Sequence, residues 1–227
     1  MTNAYNYPTE YFLQEGRENL GNCLHATFEA VAAHNIKKVI IFTAAGLGVK
    51  MAIQDYRSQE KYADIELIAV TYSSQTQFST DDPSEYTIPS DVSELLSSQN
   101  VPTVRAHMPF DPIRTQFSGH GVLGQDFSLI GNALRIFCGS MSLCVQAVLM
   151  ASDAGHVALG EHVIAMTSDT SILVRAAGTS RFLTDLIVRE IICKPVLLTI
   201  GKSEKTELVL ENSNDNDQVM PELLPPA

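Results

Sequence analysis

The sequence predicts an α/β fold built on a parallel sheet, and three observations carry that prediction. Val39, Ile40, Ile41 and Phe42 form a short, β-branched and aromatic run of the kind that fills a strand buried on both faces. Small residues then take over at Thr43, Ala44, Ala45, Gly46, Leu47 and Gly48, before helical spacing resumes through Val49, Ala52, Ile53 and Tyr56. Residues 64–72 (DIELIAVTY) repeat the buried-strand pattern. Strands and helices therefore alternate, and β-α-β-α-β alternation is the signature of parallel strands joined by right-handed crossovers.

Each element follows from its residues. Residues 10–13 read as a first strand, ended by Gln14, Glu15 and Gly16. Asn19 is of the residue type that caps a helix N-terminus, and the helix after it carries Cys23, Phe28, Val31 and Ala32 before stopping near His34 and Asn35. Residues 73–89 are rich in Ser, Thr, Gln and Asp with two prolines and read as a surface loop. Residues 91–98 predict a helix with Leu95 and Leu96 facing the core, and residues 101–106 a strand. Residues 109–124 form a second irregular stretch around Gly119, His120 and Gly121. Ile130, Ala133, Leu134 and Phe137 share one helix face, which resumes at Met141, Cys144, Val145, Val148 and Leu149. Gly139 is unfavourable inside a helix, so two helices are expected to meet there, the second starting at Ser140 or Ser142. Asp153, Ala154 and Gly155 end it with a C-terminal glycine.

Residues 162–166 and 171–175 predict two strands around a tight turn, Thr167, Ser168, Asp169 and Thr170. Residues 184–190 fit helix or strand equally, Lys194 and Pro195 punctuate, and residues 196–200 predict a last strand. The expected organisation is a flexible start over residues 1–9, an α/β domain over 10–201 and an acidic tail over 202–227, the tail serving as a mobile end or an arm onto a neighbouring subunit.

Composition narrows the function. With 227 residues, 45% of them hydrophobic, the chain can bury one large core. A net charge of −11, much of it from beyond Gly201, argues against a nucleic-acid backbone as partner. No apolar run approaches the roughly 18 residues of a membrane span, and residues 1–10 lack the character of a secretory signal. Cys23, Cys138, Cys144 and Cys193 show no zinc-type pairing, and reduced thiols in a cytoplasmic protein are expected. The six histidines, His120 among them, lack metal-ligand spacing.

Several stretches together carry a family resemblance: Tyr11-Phe12 followed by Gly16-Arg17-Glu18-Asn19, then VIIFTAAG, FCGSMSLCVQAVLMASDAG, EHVIAM and REIICKP. In this order they resemble the stand-alone relatives of the pyruvate kinase C-terminal α/β domain, over residues 11–195. That resemblance implies a three-layer α/β/α sandwich with a mostly parallel sheet. It also implies a strand-turn-helix loop that holds the phosphate of a small effector. The stand-alone members lack the barrel domain, so kinase activity is not expected of them. Two departures stand out. Ala44 and Ala45 replace the Ser or Thr pair usual in the turn, leaving Thr43 as its one hydroxyl. The loop after residues 162–166 is cut to Thr167, Ser168, Asp169 and Thr170.

The expected ligand site is therefore the turn of Thr43, Ala44, Ala45, Gly46, Leu47, Gly48 and Val49, where backbone N–H groups at a helix start favour an anion. Lys50 is placed to complete it. The motif is looser than a Walker A loop, and an ordinary close-packed βα turn reads the same way. Glu18 and Asn19 sit in a turn that topology can bring beside Thr43, although a strand end and helix cap explains them equally. Arg175 is expected to supply a guanidinium if the loop after it folds over the sheet end. Asp153 has a ligand-orienting reading beside its helix-end one. Cys144 near a helix start has a nucleophile reading and a buried structural one. The first expectation is a homo-oligomeric protein binding a sugar phosphate, a nucleotide or flavin mononucleotide (FMN). A flavin- or thiol-dependent enzyme and a structural assembly subunit are the alternatives.

Overall fold

The computed structural model describes residues 7–76, 83–110 and 122–196. Its elements are β1 (Glu10–Phe12), α1 (Leu20–His34), β2 (Lys38–Phe42), α2 (Leu47–Met51), β3 (Glu66–Tyr72), α3 (Ser90–Ser98) and β4 (Thr103–Ala106). Then follow α4 (Val122–Arg135), α5 (Met141–Asp153), β5 (His162–Met166), β6 (Ser171–Arg175), α6 (Phe182–Asp185) and β7 (Ile187–Pro195). The strands make one seven-stranded sheet in the order β1-β7-β6-β5-β2-β3-β4. All run parallel except β6, which is antiparallel to both neighbours.

Alternation along the central strands explains why both faces are covered. Val39 and Ile41 of β2, with Leu67 and Ala69 of β3, enter one core together with Leu24 and Phe28 of α1, Val49 after β2, and Val92 and Leu96 of α3. Ile40 and Phe42, with Ile68 and Val70, enter a second core against Cys144, Val145, Val148 and Leu149 of α5. Side chains of successive strand residues point to opposite faces, so an unbroken apolar strand needs a helical layer on each side. α4 lies over α5 and adds Ile130 and Leu134 at the margin of that second core.

The exceptions have local causes. β6 reverses because the turn Thr167–Thr170, closed by Thr167 N–H to the Thr170 carbonyl at 2.8 Å, is far too short for a parallel crossover. The helix after β2 is regular for five residues and then widens into a π-helical turn, Ala52–Arg57. Residues 184–190 resolve into both candidates, the end of α6 and the start of β7. Lys194 and Pro195 are the last two residues of β7 and not a break before it: Pro195 pairs only with Phe12 of β1, beyond the β6 ladder, where its missing N–H is harmless.

Asn19 does precede α1, but its backbone is helical and its side-chain amide donates to the Gln14 carbonyl (2.8 Å) instead of capping. Of the expected α4 face, Ala133 and Phe137 are exposed, Phe137 lying beyond the helix. Ser140 is the residue that starts α5, and Gly155 (φ 82°) lies just past its end. In α3 the fully buried pair is Val92 and Leu96, with Leu95 at the margin. The Gly119-His120-Gly121 segment, most of the strand expected at 196–200 and the acidic tail lie outside the described residues.

Candidate functional site

Topology selects one place on this sheet. β2 and β3 are joined through α2, and β3 and β4 through α3, on the first face, whereas β5 is reached through α4 and α5 on the second face. The chain thus leaves β2 toward β3 on one side and returns beside β2 as β5 on the other. Such a switch point opens a crevice at the carboxyl ends of the strands. A cleft of about 240 Å³ lies there. Its floor is the turn after β2 (Thr43, Ala44, Ala45, Leu47, Gly48) and the start of the β5–β6 turn (Thr167, Ser168). Phe42, Tyr72 and Tyr86 line it as well, together with Ser140 and Leu143 from the start of α5.

The turn after β2 is rigid. The Gly46 N–H donates to Thr43 Oγ1 at 2.9 Å, the Thr43 N–H to the Val70 carbonyl at 2.9 Å, and the Lys50 N–H to the Gly46 carbonyl at 3.0 Å. Gly46 has φ 86°, and a Cβ there would meet Val92 Cγ1 at 2.6 Å, so only glycine fits both the backbone and the packing. The sole hydroxyl in the turn therefore already accepts a backbone donor. The N–H groups of Leu47, Gly48 and Val49 precede the first intrahelical bond and belong to the class that helices leave to caps, water or ligands.

Among the described residues, Arg17 is the one charged residue lining the cleft; the rest of them wall it with apolar, hydroxyl and backbone groups and no carboxylate. Sequence reasoning passed over it in favour of Glu18 and Asn19, its neighbours in the same turn. That turn is held in place by two long-range bonds. The Gly16 N–H donates to Asp169 Oδ2 (3.1 Å), and the Gly139 N–H donates to Glu15 Oε1 (2.9 Å). Asp169 is 4% exposed and also accepts the hydroxyls of Thr167 (3.3 Å) and Thr170 (3.1 Å), so its charge is satisfied behind the cleft wall.

The predicted residues divide accordingly. Thr43, Ala44, Ala45, Leu47 and Gly48 line the cleft; Gly46 and Val49 are buried behind it and shape the turn. Glu18 and Asn19 are not among its lining residues. Lys50 turns toward Asp91 (Nζ to Oδ2, 3.7 Å) and does not complete the cradle. Arg175 is misplaced by the reading made from sequence. Because β6 is antiparallel, Arg175 pairs with His162 at the start of β5, about 13 Å from the strand ends that carry the cleft. There its Nη1 donates to the Asp185 carbonyl at 3.0 Å. Asp153 accepts the Thr179 N–H (3.0 Å) and hydroxyl, which makes it a helix-end strut.

The cysteines are structural. Cys23, Cys144 and Cys193 are fully buried and Cys138 is 1% exposed. Burial pushes the Cys23 and Cys144 thiols well above their ordinary range, opposite to what a nucleophile requires. Their sulfurs contact the backbone that frames the cleft: Cys23 Sγ lies 3.5 Å from the Thr167 carbonyl and Cys144 Sγ 3.5 Å from the Thr170 carbonyl. No protein-family model matches the chain. Among the described residues, no helix is long and apolar enough to cross a membrane.

Proposed function

We propose that this protein is a ligand-binding α/β protein of the kind seen in the pyruvate kinase C-terminal domain, holding a small phosphorylated molecule in the cleft at the β2–β5 switch. One observation carries the reading. In a chain of net charge −11, the described residues that line this cleft present a guanidinium and no carboxylate. An arginine fork beside backbone N–H groups is a chemically matched partner for a phosphate. A volume of about 240 Å³ lies below the roughly 300–1,000 Å³ of sites for drug-sized ligands, so a sugar phosphate fits the space better than a mononucleotide or FMN.

The test is a titration of the full chain with inorganic phosphate and glucose 6-phosphate, followed by amide chemical shifts. Saturable shifts at Ala44, Ala45 and Gly48 are expected, and they should vanish in Arg17→Glu and in Ala45→Asp. Ala45 is a better position than Gly46, where any side chain collides with Val92. Absence of saturable shifts in the unmodified protein overturns the reading.

Self-association is a second reading, favoured by Leu129, Ile136 and Phe137, which stay 67%, 74% and 47% exposed along α4 and its exit. Apolar side chains exposed on a helix and on the turn that follows it suit a subunit contact. Light scattering of Ile136→Asp against the unmodified chain decides it; an unchanged mass removes its support.

A further inference from the structure

A second cavity, of about 230 Å³, lies at the opposite end of the sheet, where β3 begins. Glu66 starts β3 and lines this cavity, whereas Tyr72 ends β3 and lines the cleft described above, about 20 Å away at about 3.3 Å per residue. Their described lining residues have no member in common. Both helical layers contribute to the second cavity. Arg57 comes from the first face, at the last position of the π-helical turn after α2, and His156 from the second face, just past the end of α5. Asn100, from the connection between α3 and β4, closes a further side, and Leu67 and Ile68 are its buried apolar residues.

Each polar wall is set by its own bonds. A π-helical turn is a rare geometry that recurs at functional sites. This one is braced by Tyr56 stacked on Phe28 (4.3 Å, 9°) and brings Arg57 Nη1 to the Gln99 carbonyl at 2.8 Å. A guanidinium carries five N–H donors in one plane, so that bond orients the fork and leaves donors for another partner. His156 is fixed through its backbone: its N–H donates to the Ala151 carbonyl (3.0 Å), and its carbonyl accepts Lys38 Nζ (2.9 Å). Lys38 is also held by Glu161 Oε1 at 3.1 Å and reaches Glu66 Oε2 only at 3.8 Å, beyond hydrogen-bond distance. Among the described residues, Arg57 and Glu66 make no ion pair with each other.

One cavity thus presents a guanidinium and a carboxylate that are not joined. A lone carboxylate suits Arg57 and is repelled by Glu66, and a lone ammonium meets the reverse. We infer that this cavity takes a small zwitterion, its carboxylate on the Arg57 fork and its ammonium on Glu66, with the Asn100 amide and the His156 imidazole beside them. The site is separate from the phosphate cleft and does not rest on that reading.

The experiment is titration of the full chain with glycine, β-alanine and 4-aminobutyrate, a series of growing charge separation, beside propionate and ethylamine, followed by amide chemical shifts. At least one zwitterion should give saturable shifts at Arg57, Leu67, Asn100 and His156 while Ala45 and Gly48 of the phosphate cleft stay unmoved. Propionate and ethylamine should bind about tenfold more weakly, the effect of forgoing one hydrogen bond to a charged group. Glu66→Gln should weaken the zwitterion by a similar factor and leave propionate binding no weaker. Arg57→Gln should weaken both, and Arg57→Lys should restore part of the loss. Circular dichroism and melting curves confirm that each variant is folded. Absence of saturable shifts at these amides with every zwitterion overturns the site, as does binding indifferent to Arg57→Gln. Propionate or ethylamine binding as tightly as the best zwitterion, or a Glu66→Gln variant without effect, overturns the ligand class.

Discussion

The buried carboxylate of Asp169 accepts the backbone N–H of Gly16 at 3.1 Å, tying the β5–β6 turn to a loop 153 residues earlier in the chain. The bond matters because Arg17 is the next residue and because Thr167 and Ser168, on the other side of the same carboxylate, line the cleft. One acidic side chain thus positions the turn that carries Arg17 and part of the polar wall.

Asp169→Ala removes the acceptor of the Gly16 N–H and one partner of each threonine hydroxyl, while Thr167 Oγ1 keeps the Thr170 carbonyl (3.5 Å) and Thr170 Oγ1 the Cys138 sulfur (3.3 Å). Loss of a buried acceptor costs about 1–3 kcal/mol where donors are left unpaired, and about 1–2 kcal/mol is expected here because both hydroxyls keep a second partner and water reaches the half-buried Gly16. Urea denaturation measures the loss, and phosphate-induced shifts at Ala45 should weaken with it. A variant as stable as the unmodified chain would show that the strut is dispensable.

Gly46→Ala tests the turn itself. A left-handed backbone and a 2.6 Å encounter with Val92 combine strain with overpacking, together worth about 2–4 kcal/mol. Val92→Ala in the same chain should recover the steric part and not the backbone part. The thermal midpoints of the single and double variants separate the two.

The thiols make a reactivity prediction. Cys23 and Cys144 are held in the thiol form by burial, and Cys138 is pushed up more modestly, again by burial first. In the folded protein, reaction with an aromatic disulfide reagent should stay slow from pH 7 to 9, whereas denaturant releases the cysteines at once. Rapid native-state labelling of Cys144, located by mass spectrometry of the peptides, would return the nucleophile reading to consideration.

Glu29 supplies a pH dependence with a definite sign. Hydrogen bonds from Lys61 (3.1 Å) and Tyr62 (3.0 Å) lower its pKa. A carboxylate lowered on folding contributes stability above its unfolded pKa, about 4.3, and loses it as pH falls through the lower folded value. The pair is half-exposed, so the contribution is small and screened by salt. Glu29→Gln should be slightly less stable than the unmodified chain at pH 7 and indistinguishable from it at pH 2. Urea midpoints across that range make the comparison.

How much of this was legible in the sequence varies from element to element. β2 and β3 were readable because a strand buried on both faces must be apolar at every position. α1 and α5 were readable from apolar residues at helical spacing. The turn after β2 announced itself through small residues and Gly46. Arg17 was visible only as one polar residue in a turn, and nothing local distinguishes it from Glu18 beside it. Arg175 looked equally suitable, and a single hairpin sent it to the wrong end of the sheet.

The division has a physical basis. Hydrophobic periodicity and turn chemistry are local, so the residues themselves determined that this chain would be an α/β protein with strands covered on both faces. Which turn meets which is decided by strand order and direction. These arise from long-range pairing: β5 inserting beside β2, β6 reversing, and Asp169 reaching Gly16 across 153 residues. A one-dimensional pattern carries no record of those meetings. Tertiary structure alone therefore decided that the cleft would hold Arg17, the turn after β2, Tyr72 and Tyr86, and would exclude Arg175.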